Sequence, residues 1–538
     1  MENFEISDYL LLLSTTLMVY VAHHYYKYFT RVNPLPGPFP FPFVGNLPQV
    51  YWQSKGNTKI FYEYNHKKYG DIYEVHLSSI RSIILCRTEY IEKLLSPSTK
   101  NTVVMRLPNS KGSEELGIGG KGLLLNNDFK SWRHNRHFFS QAILSPKFTK
   151  EAIDWTNDLF IELESYWNKL IFKEEIIKEN KNILNIAQWF NQYTNDMIIK
   201  LLTGERSYSM AAYYDTLSDE KSDHPSAIVD DSVKLVQALR KHLLGFSMFY
   251  FVSPFLRHYV PFFKNKADDI IQNKKFINQK LDAIIKRRRQ VIENTPLDEP
   301  LSNDMLTSVI IANTPRDVKY IETVDGEAMR PMADDDIRGI ILDGFLGGTD
   351  TTANTISFII YYLAHNPDAK KKMIEEIDRI FQGDKIRPIT ENDFHNLKYC
   401  EAIAKEVSRV YPAVSSFTRF IDKPSEIAGY QWPTGTLFRV NIDAIHDNKD
   451  YWENPDKFNP DKWMDEGFEP KKNSFIMFGG GLRLCPGRKL AMIELICLVA
   501  LLFRKYEIDL VDMNAPLRTE SSTITVCTEL LVKIKPKN

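Results

Sequence analysis

The chain has 538 residues, 43% of them hydrophobic, with a formal net charge of -1. That is ample for a large core, and so small a charge argues against nucleic acid or a strongly acidic partner. Five widely spaced cysteines (Cys86, Cys400, Cys485, Cys497 and Cys527), odd in number and without a C-x-x-C pair, exclude a disulfide framework and suit a reducing, cytosol-facing compartment. Length alone would allow three or more domains, yet no linker divides residues 60–538.

The first element is the uncharged, mostly apolar run from Tyr9 to Ala22, extended by the aromatic-rich stretch His23 to Phe29. Counted strictly, the run is shorter than the roughly 20 residues of a membrane span. The aromatics suit a membrane interface, and Lys27 and Arg31 after the run predict that the body stays on the cytoplasmic side. A cleaved signal peptide is the competing reading. The acidic start (Glu2, Glu5, Asp8) and the lack of a small-x-small cleavage site favour a retained anchor. Prolines 34, 36, 38, 40 and 42 then forbid helix and predict a stiff extended spacer, which alone would equally suit an SH3-type ligand.

Short β-rich runs follow within 58–105, at 72–77 and 82–86, and helical patterns dominate from about 128 to 410. Trp132 and Arg136, four apart, fall on one helix face. Segments 204–228, 291–304 and 314–335 read as irregular connections. Asp334, Asp335 and Asp336 suit the cap and first turn of a long helix running from about Ile337 to His365, ended by Asn366-Pro367. Inside it lies Gly347-Gly348-Thr349-Asp350-Thr351-Thr352. Each interior glycine costs about 1 kcal/mol against alanine, so a ligand against the backbone is one explanation. A small-residue packing face with Asp350 in an ion pair is the other. Glu406 and Arg409, three apart, share a helix face. Residues 410–475 are turn-rich and contain Phe458-Asn459-Pro460-Asp461-Lys462-Trp463, and the C-terminus from Thr523 to Ile534 reads as strand. The whole predicts an α+β body, predominantly α-helical.

The most specific stretch is Phe478-Gly479-Gly480-Gly481-Leu482-Arg483-Leu484-Cys485-Pro486-Gly487. Arg483 and the amides of a following helix, in whose first turn Pro486 is expected, supply the positive potential a thiolate needs. The glycines let backbone approach a flat ligand and give N–H groups to sulfur. An isolated cysteine held this way suits a metal ligand more than a disulfide. A buried core cysteine in a glycine turn is the bland alternative. No histidine shows ligand spacing, and His446 is assigned no role.

The decamer fits F-x-x-G-x-R-x-C-x-G and resembles the heme-binding signature of the cytochrome P-450 family. With Trp132/Arg136 (W-x-x-x-R), 347–352 ((A/G)-G-x-(D/E)-T-(T/S)), Glu406/Arg409 (E-x-x-R) and the 458–463 segment, five motifs stand in the family's order. The resemblance implies a cytochrome P-450 fold with small β-sheets in three parts: an N-terminal membrane anchor (1–33), a proline-rich hinge and entry segment (34–57) and a heme-binding catalytic domain (58–538). It implies heme b (iron protoporphyrin IX) with Cys485 as axial thiolate and metal ligand. Phe478, Gly487 and Gly347 would lie against the heme, and Trp132, Arg136, Arg419 and Arg483 at its propionates. Thr351 would hydrogen-bond the oxygen or its water, Asp350 would relay protons, and Glu406 and Arg409 would be structural. Lys462 takes a third position where the family usually has arginine, and a lysine cannot form the planar fork.

The implied activity is insertion of one atom of O2 into an apolar small molecule, with NADPH-derived electrons from a flavoprotein reductase. The implied location is the endoplasmic reticulum membrane, single-pass, with the catalytic domain facing the cytosol. Arg483, Arg488 and Lys489 would contribute to a basic docking face, propionate pairing being the other use for them. Two further readings keep the heme: hydroperoxide isomerisation without O2, and a non-catalytic heme sensor or carrier. The intact Asp350-Thr351 pair argues against both. The resemblance draws the pocket from 106–125, 340–347, 413–417 and 521–525, with Leu107, Leu116, Leu346, Val414 and Phe417 beside Asp343, Ser415, Ser416 and Thr523. Asp343 is expected to cap a packing contact.

Overall fold

The computed structural model describes residues 6–537 apart from 79, 97–104, 108–109, 118–120, 145, 172–181, 225–231, 303, 313, 317–322, 325–326, 329 and 523. Thr523 and parts of the four segments expected at 106–125, 204–228, 291–304 and 314–335 therefore lie outside the described residues.

Helix α1 (Ile6–Phe29) is 24 residues long, longer than the strict apolar run, and none of its residues is buried. By length and composition it could cross a membrane. The proline-rich segment after it is no free spacer. Leu35 is buried, Pro36 accepts a backbone bond from Glu74 (2.9 Å), and Asn46 donates to the Pro38 carbonyl (3.0 Å). A Cβ on Gly37 would stand 2.1 Å from the Glu74 carbonyl oxygen, so only glycine allows the chain to lie this close. Glu74 sits on strand β1 (Ile72–Leu77), which pairs antiparallel with β2 (Ile80–Leu85). Its carboxylate binds Arg31 (2.5 Å) on one side and Arg81 (2.5 Å) on the other.

Helix α2 (Phe129–Ile143) starts where the Asp128 side chain accepts from the amides of Lys130 and Ser131 (3.0 Å each). Helix α3 (Pro146–Leu170), the short strand β3 (Ile183–Asn185) and helix α4 (Ile186–Thr203) follow. The connection expected to be irregular at 204–228 contains a helix, α5 (Ser209–Leu217), whose first amides are held by the buried Asp196 carboxylate. Helices α6 (Ser232–Phe251) and α7 (Pro261–Asn294) pack on each other above the body.

The long helix expected from 337 to 365 is two helices, α8 (Asp334–Gly348) and α9 (Asp350–His365), broken at Thr349. Ala333 is the cap, and the three aspartates fill the first turn, where the helix dipole favours them. At the break, Thr194 of α4 donates to the Thr349 carbonyl (2.9 Å) and Thr349 donates back to that of Phe345 (2.9 Å). The ladder bonds across the break persist but are long, Thr349 to Phe345 and Ala353 to Thr349 at 3.3 Å each, and the two hydroxyls share those carbonyls. Helix α9 is buried on most sides by α4, by α10 (Lys398–Val410) and by α11 (Arg488–Lys505). Each fully buried side chain there, such as Ile356 or Phe358, contributes about 1.5–3 kcal/mol of transfer free energy.

Strands β4 (Ser416–Phe420) and β5 (Leu437–Asn441) complete the first sheet in the order β1-β2-β5-β4, in which β2 and β5 run parallel. Strands β6 (Tyr506–Leu510) and β7 (Arg518–Ser521) follow α11, and the strand expected from Thr523 to Ile534 is two, β8 (Thr525–Glu529) and β9 (Leu531–Pro536). β6, β9 and β3 form one small sheet and β7 with β8 another. The fold is the expected one: helices dominate and the sheets are small.

Candidate heme site

The loop before α11 turns back on itself. The Cys485 amide donates to the Phe478 carbonyl (3.0 Å), and a short turn of 3-10 helix spans Gly481–Arg483. Gly481 has φ +66, and a Cβ there would press on the Leu95 backbone at 3.0 Å, so the turn requires glycine. Pro486 lies just before the helix rather than in its first turn. Gly487 is the N-cap and α11 starts at Arg488. Burial pushes the Cys485 thiol up, while the Gly487 amide and the guanidiniums of Arg106, Arg136 and Arg488 pull it toward the thiolate.

Helix α2 brings two side chains to this loop. Arg136 donates to the Leu484 carbonyl (2.8 Å), and Trp132, buried, lies under the Arg483 guanidinium at 4.3 Å. Arg483 donates to the carbonyls of Leu123 (2.7 Å) and Asn126. It is 4% exposed, so it cannot contribute to a docking face as the sequence had it. Arg419 of β4 donates to the Thr418 carbonyl (2.9 Å) and points an Nη2 at the Gly480 carbonyl (3.5 Å). Arg106, which no motif marks, reaches the Arg483 carbonyl (3.5 Å).

Burial depresses all four guanidiniums, and each also feels at least one other arginine except Arg106, whose burial is opposed by Cys485 and Asp343. Arg136 comes down to about 10 and Arg483 to about 9. Among the described residues Arg106, Arg136 and Arg419 form no ion pair with a carboxylate. A buried cationic cluster beside a lone cysteine is a donor set for a ligand with two carboxylates and a thiolate-seeking metal. The residues present therefore fit the heme that the resemblance implies. Among the described residues no group of three or more His, Cys, Asp or Glu could hold a metal ion by itself.

A cavity of about 360 Å³ adjoins this cluster. Arg106, Gly347 and Thr351 line it, and Asp350 does not. Thr351 donates to the Gly347 carbonyl (2.7 Å), which leaves its oxygen lone pairs free to accept. A Cβ on Gly347 would meet nothing within 4 Å. Asp350 turns toward α4, where Asn191 donates to its carboxylate (2.9 Å). Of the expected pocket residues, Leu107, Leu346, Val414, Phe417, Ser416 and Asp343 line the cavity. Leu116 instead packs with Phe249, and Ser415 faces the Thr525 hydroxyl (3.3 Å). Asp343 binds the Leu123 and Leu124 amides (2.6 and 2.8 Å), and its carboxylate also edges the cavity.

Beneath the site Glu406 and Arg409 are fully buried and joined through two bonds (2.8 and 3.0 Å). Arg409 continues to the carbonyls of His446, Pro455 and Lys457. Lys462 reaches Glu406 (3.1 Å), and the Trp463 indole and Asn459 amide add bonds of 2.9 Å each. The lysine's single point of contact is thus supplemented by a neighbour's N–H. Burial would raise the Glu406 carboxyl, but Arg409 and Lys462 outweigh it and hold it below its ordinary range. Trp463, Arg106 and Asn191 are the contributors that sequence reasoning missed.

Comparison with known proteins agrees. The family model described as cytochrome P-450 matches residues 35–536. The chain is 23% identical to the mitochondrial 1,25-dihydroxyvitamin D(3) 24-hydroxylase of Rattus norvegicus, over 94% of this chain and 90% of that protein. It is 24% identical to the (+)-vincadifformine 19-hydroxylase of Catharanthus roseus, over 90% and 88% respectively. It is 26% identical to cytochrome P-450 3A31 of Mesocricetus auratus, over 90% and 87%. With a match across nearly its whole length, the chain belongs to the cytochrome P-450 family of heme-dependent monooxygenases.

Proposed function

We infer that this monooxygenase acts on an apolar small molecule in the cavity between Cys485 and α8, with Cys485 as the axial ligand. The observation that carries the reading is the convergence of Arg106, Arg136, Arg419 and Arg483 on the Cys485 loop beside that cavity. Heme, when bound, supplies the redox chemistry that places one atom of O2 on substrate and releases the other as water.

The chain's own residues do the rest. The guanidiniums with Trp132 hold the propionates, and Phe478, Gly347 and Gly487 allow close approach of the flat ring. Thr351 Oγ1 presents its lone pairs to the cavity while its proton rests on the Gly347 carbonyl. Asp350, its carboxylate held by Asn191, would rotate off that amide, take a proton from solvent and pass it toward Thr351 Oγ1. The apolar wall excludes water from the reacting carbon. Glu406, Arg409 and Lys462 act structurally, fixing the segment that leads to the Cys485 loop.

Electrons would come from an NADPH-dependent flavoprotein reductase, with Arg488 and the exposed Lys489 on its docking face. Residues 1–33 would anchor the protein in the endoplasmic reticulum membrane, single-pass and with the body facing the cytosol. Residues 34–57 would be the entry segment and 58–538 the catalytic domain. The test is the carbon-monoxide difference spectrum of the reduced protein, followed by NADPH-dependent turnover with a reductase. The thiolate band should appear in the native protein and vanish in Cys485→Ser. A thiolate band that survives the substitution refutes the assignment of Cys485.

A further inference from the structure

The cavity is also lined by charges that the reaction does not use. Lys121 and Arg338 are engaged with Asp335 (3.3 and 3.0 Å), and Arg338 also with Asp282 (2.5 Å). Asp343 is engaged with backbone amides. Arg439, on β5, donates to the Ser416 hydroxyl (3.0 Å) and lies over the Tyr62 ring. Lys274 of α7 also lines the cavity, and among the described residues it has no hydrogen bond or ion pair.

Two further polar groups line the same region. His242 of α6 is 4% exposed and its Nδ1 is buried without a partner. Asn278, one turn from Lys274 on the same face of α7, leaves its Oδ1 buried without a partner. Burial brings Lys274 down to about 8, Asp343 opposing and Arg338 adding, so it is still mostly an ammonium at pH 7. Burial, with Lys274 nearby, takes His242 to about 3, so it is a neutral imidazole with one donor and one acceptor. Polar groups kept unsatisfied beside an apolar cavity are costly unless a ligand completes them.

We propose that Lys274, with His242 and Asn278, forms a subsite for the carboxylate head of an amphipathic substrate whose alkyl body extends along α8 toward Gly347 and Thr351. The wall between is apolar, with Leu342, Leu346, Val414 and Phe417. On α8, Lys274 feels the charges of Asp343 and of Arg338, which lie about one turn and two and a half turns before Gly347. This subsite rests on the monooxygenase reading above.

The experiment titrates heme-loaded native protein, Lys274→Met and Lys274→Arg with dodecanoate and with methyl dodecanoate. Binding is read by equilibrium dialysis and by the Soret shift. The native protein and Lys274→Arg should bind the acid about tenfold or more tighter than the ester, as expected for a charge-assisted bond. Lys274→Met should lose that preference with its affinity for the ester unchanged. The subsite is overturned if the native protein binds neither ligand, if it binds the ester as tightly as the acid, or if Lys274→Met keeps the preference. The reduced carbon-monoxide spectrum of each sample separates the two readings. An intact thiolate band without acid preference removes the subsite alone. A missing band removes the monooxygenase reading, while dialysis, which needs no heme chemistry, still reads the subsite.

Discussion

Glu406 is the residue on which most of the local polar structure converges, since Arg409, Lys462, Trp463 and the Asn459 amide all bind it. Removing one partner of a buried pair leaves the other uncompensated, so Glu406→Gln should cost about 3–5 kcal/mol in denaturant unfolding. A loss within experimental error of zero would mean that the three carbonyls Arg409 also binds, those of His446, Pro455 and Lys457, suffice to hold it. His446, at the far end of Arg409, accepts the Ile476 amide at Nε2 (3.0 Å) and so must be neutral. Burial and then Arg409 bring it down to about 3 from 6.5. Its folded pKa is below its unfolded one, so unfolding takes up a proton between those values. Its contribution is complete above pH 6.5 and is lost as pH falls toward 3, with a slope of about 1.4 kcal/mol per pH unit in between. The native protein should therefore lose stability from pH 6.5 to 4.5 more steeply than His446→Gln, by about one proton's slope. Equal slopes would show that the imidazole titrates normally in the fold. The pairing of Glu406 with Arg409 was legible because spacing on one helix is a local property. Lys462 was marked for the third position only by the resemblance, and that Trp463 would share the task was not legible at all, because both depend on how a distant turn is laid over α10.

By its own pattern the helix over the cavity reads as continuous, and only the resemblance implies that it opens locally beside the oxygen-binding site. Two glycines and nearby threonines still read as one helix by propensity, and at the break Thr194, on α4, adds a second bond to the Thr349 carbonyl beside a long one from the Ala353 amide. No local pattern announces a bond between residues 155 positions apart. The two glycines also prove unlike. A Cβ on Gly348 would stand 2.6 Å from Ile198, whereas one on Gly347 would enter open space. Gly348→Ala should lower the thermal midpoint by several degrees through overpacking, a cost of about 1–3 kcal/mol. Gly347→Ala should leave the midpoint within about two degrees and instead weaken heme retention or the substrate-induced Soret shift. If the two variants behave alike in calorimetry, the contrast in packing is wrong. Lys274 was invisible for a related reason: it is one cation among many in its segment, and only the crossing of α7 over α8 brings it to the cavity wall.

On the scale of the whole molecule the sequence drew boundaries at 33 and 57, and the packing bears on what those cuts would do. Arg31 and Leu35 belong to the body by contact, through Glu74 and the sheet. Deleting residues 1–29 should release the protein from membranes in a fractionation assay and leave its carbon-monoxide spectrum intact. Deleting 1–57 should give insoluble protein, because Glu74 loses Arg31 and the β1 edge loses its cover. Soluble, spectrally intact protein from the longer deletion would restore the idea of an independent spacer. The same contacts bear on how the body is carried. A flexible tether lets its load tumble, whereas here Tyr25 of α1 stacks on Phe39, Tyr28 meets the same ring edge-on, and Arg31 is locked to β1. The N-terminal helix and the sheet are thus joined as a bracket to its shelf. Whatever surface fixes the axis of α1 also fixes the compass heading of the cavity mouth, and a change of tilt in one would swing the other by the same angle.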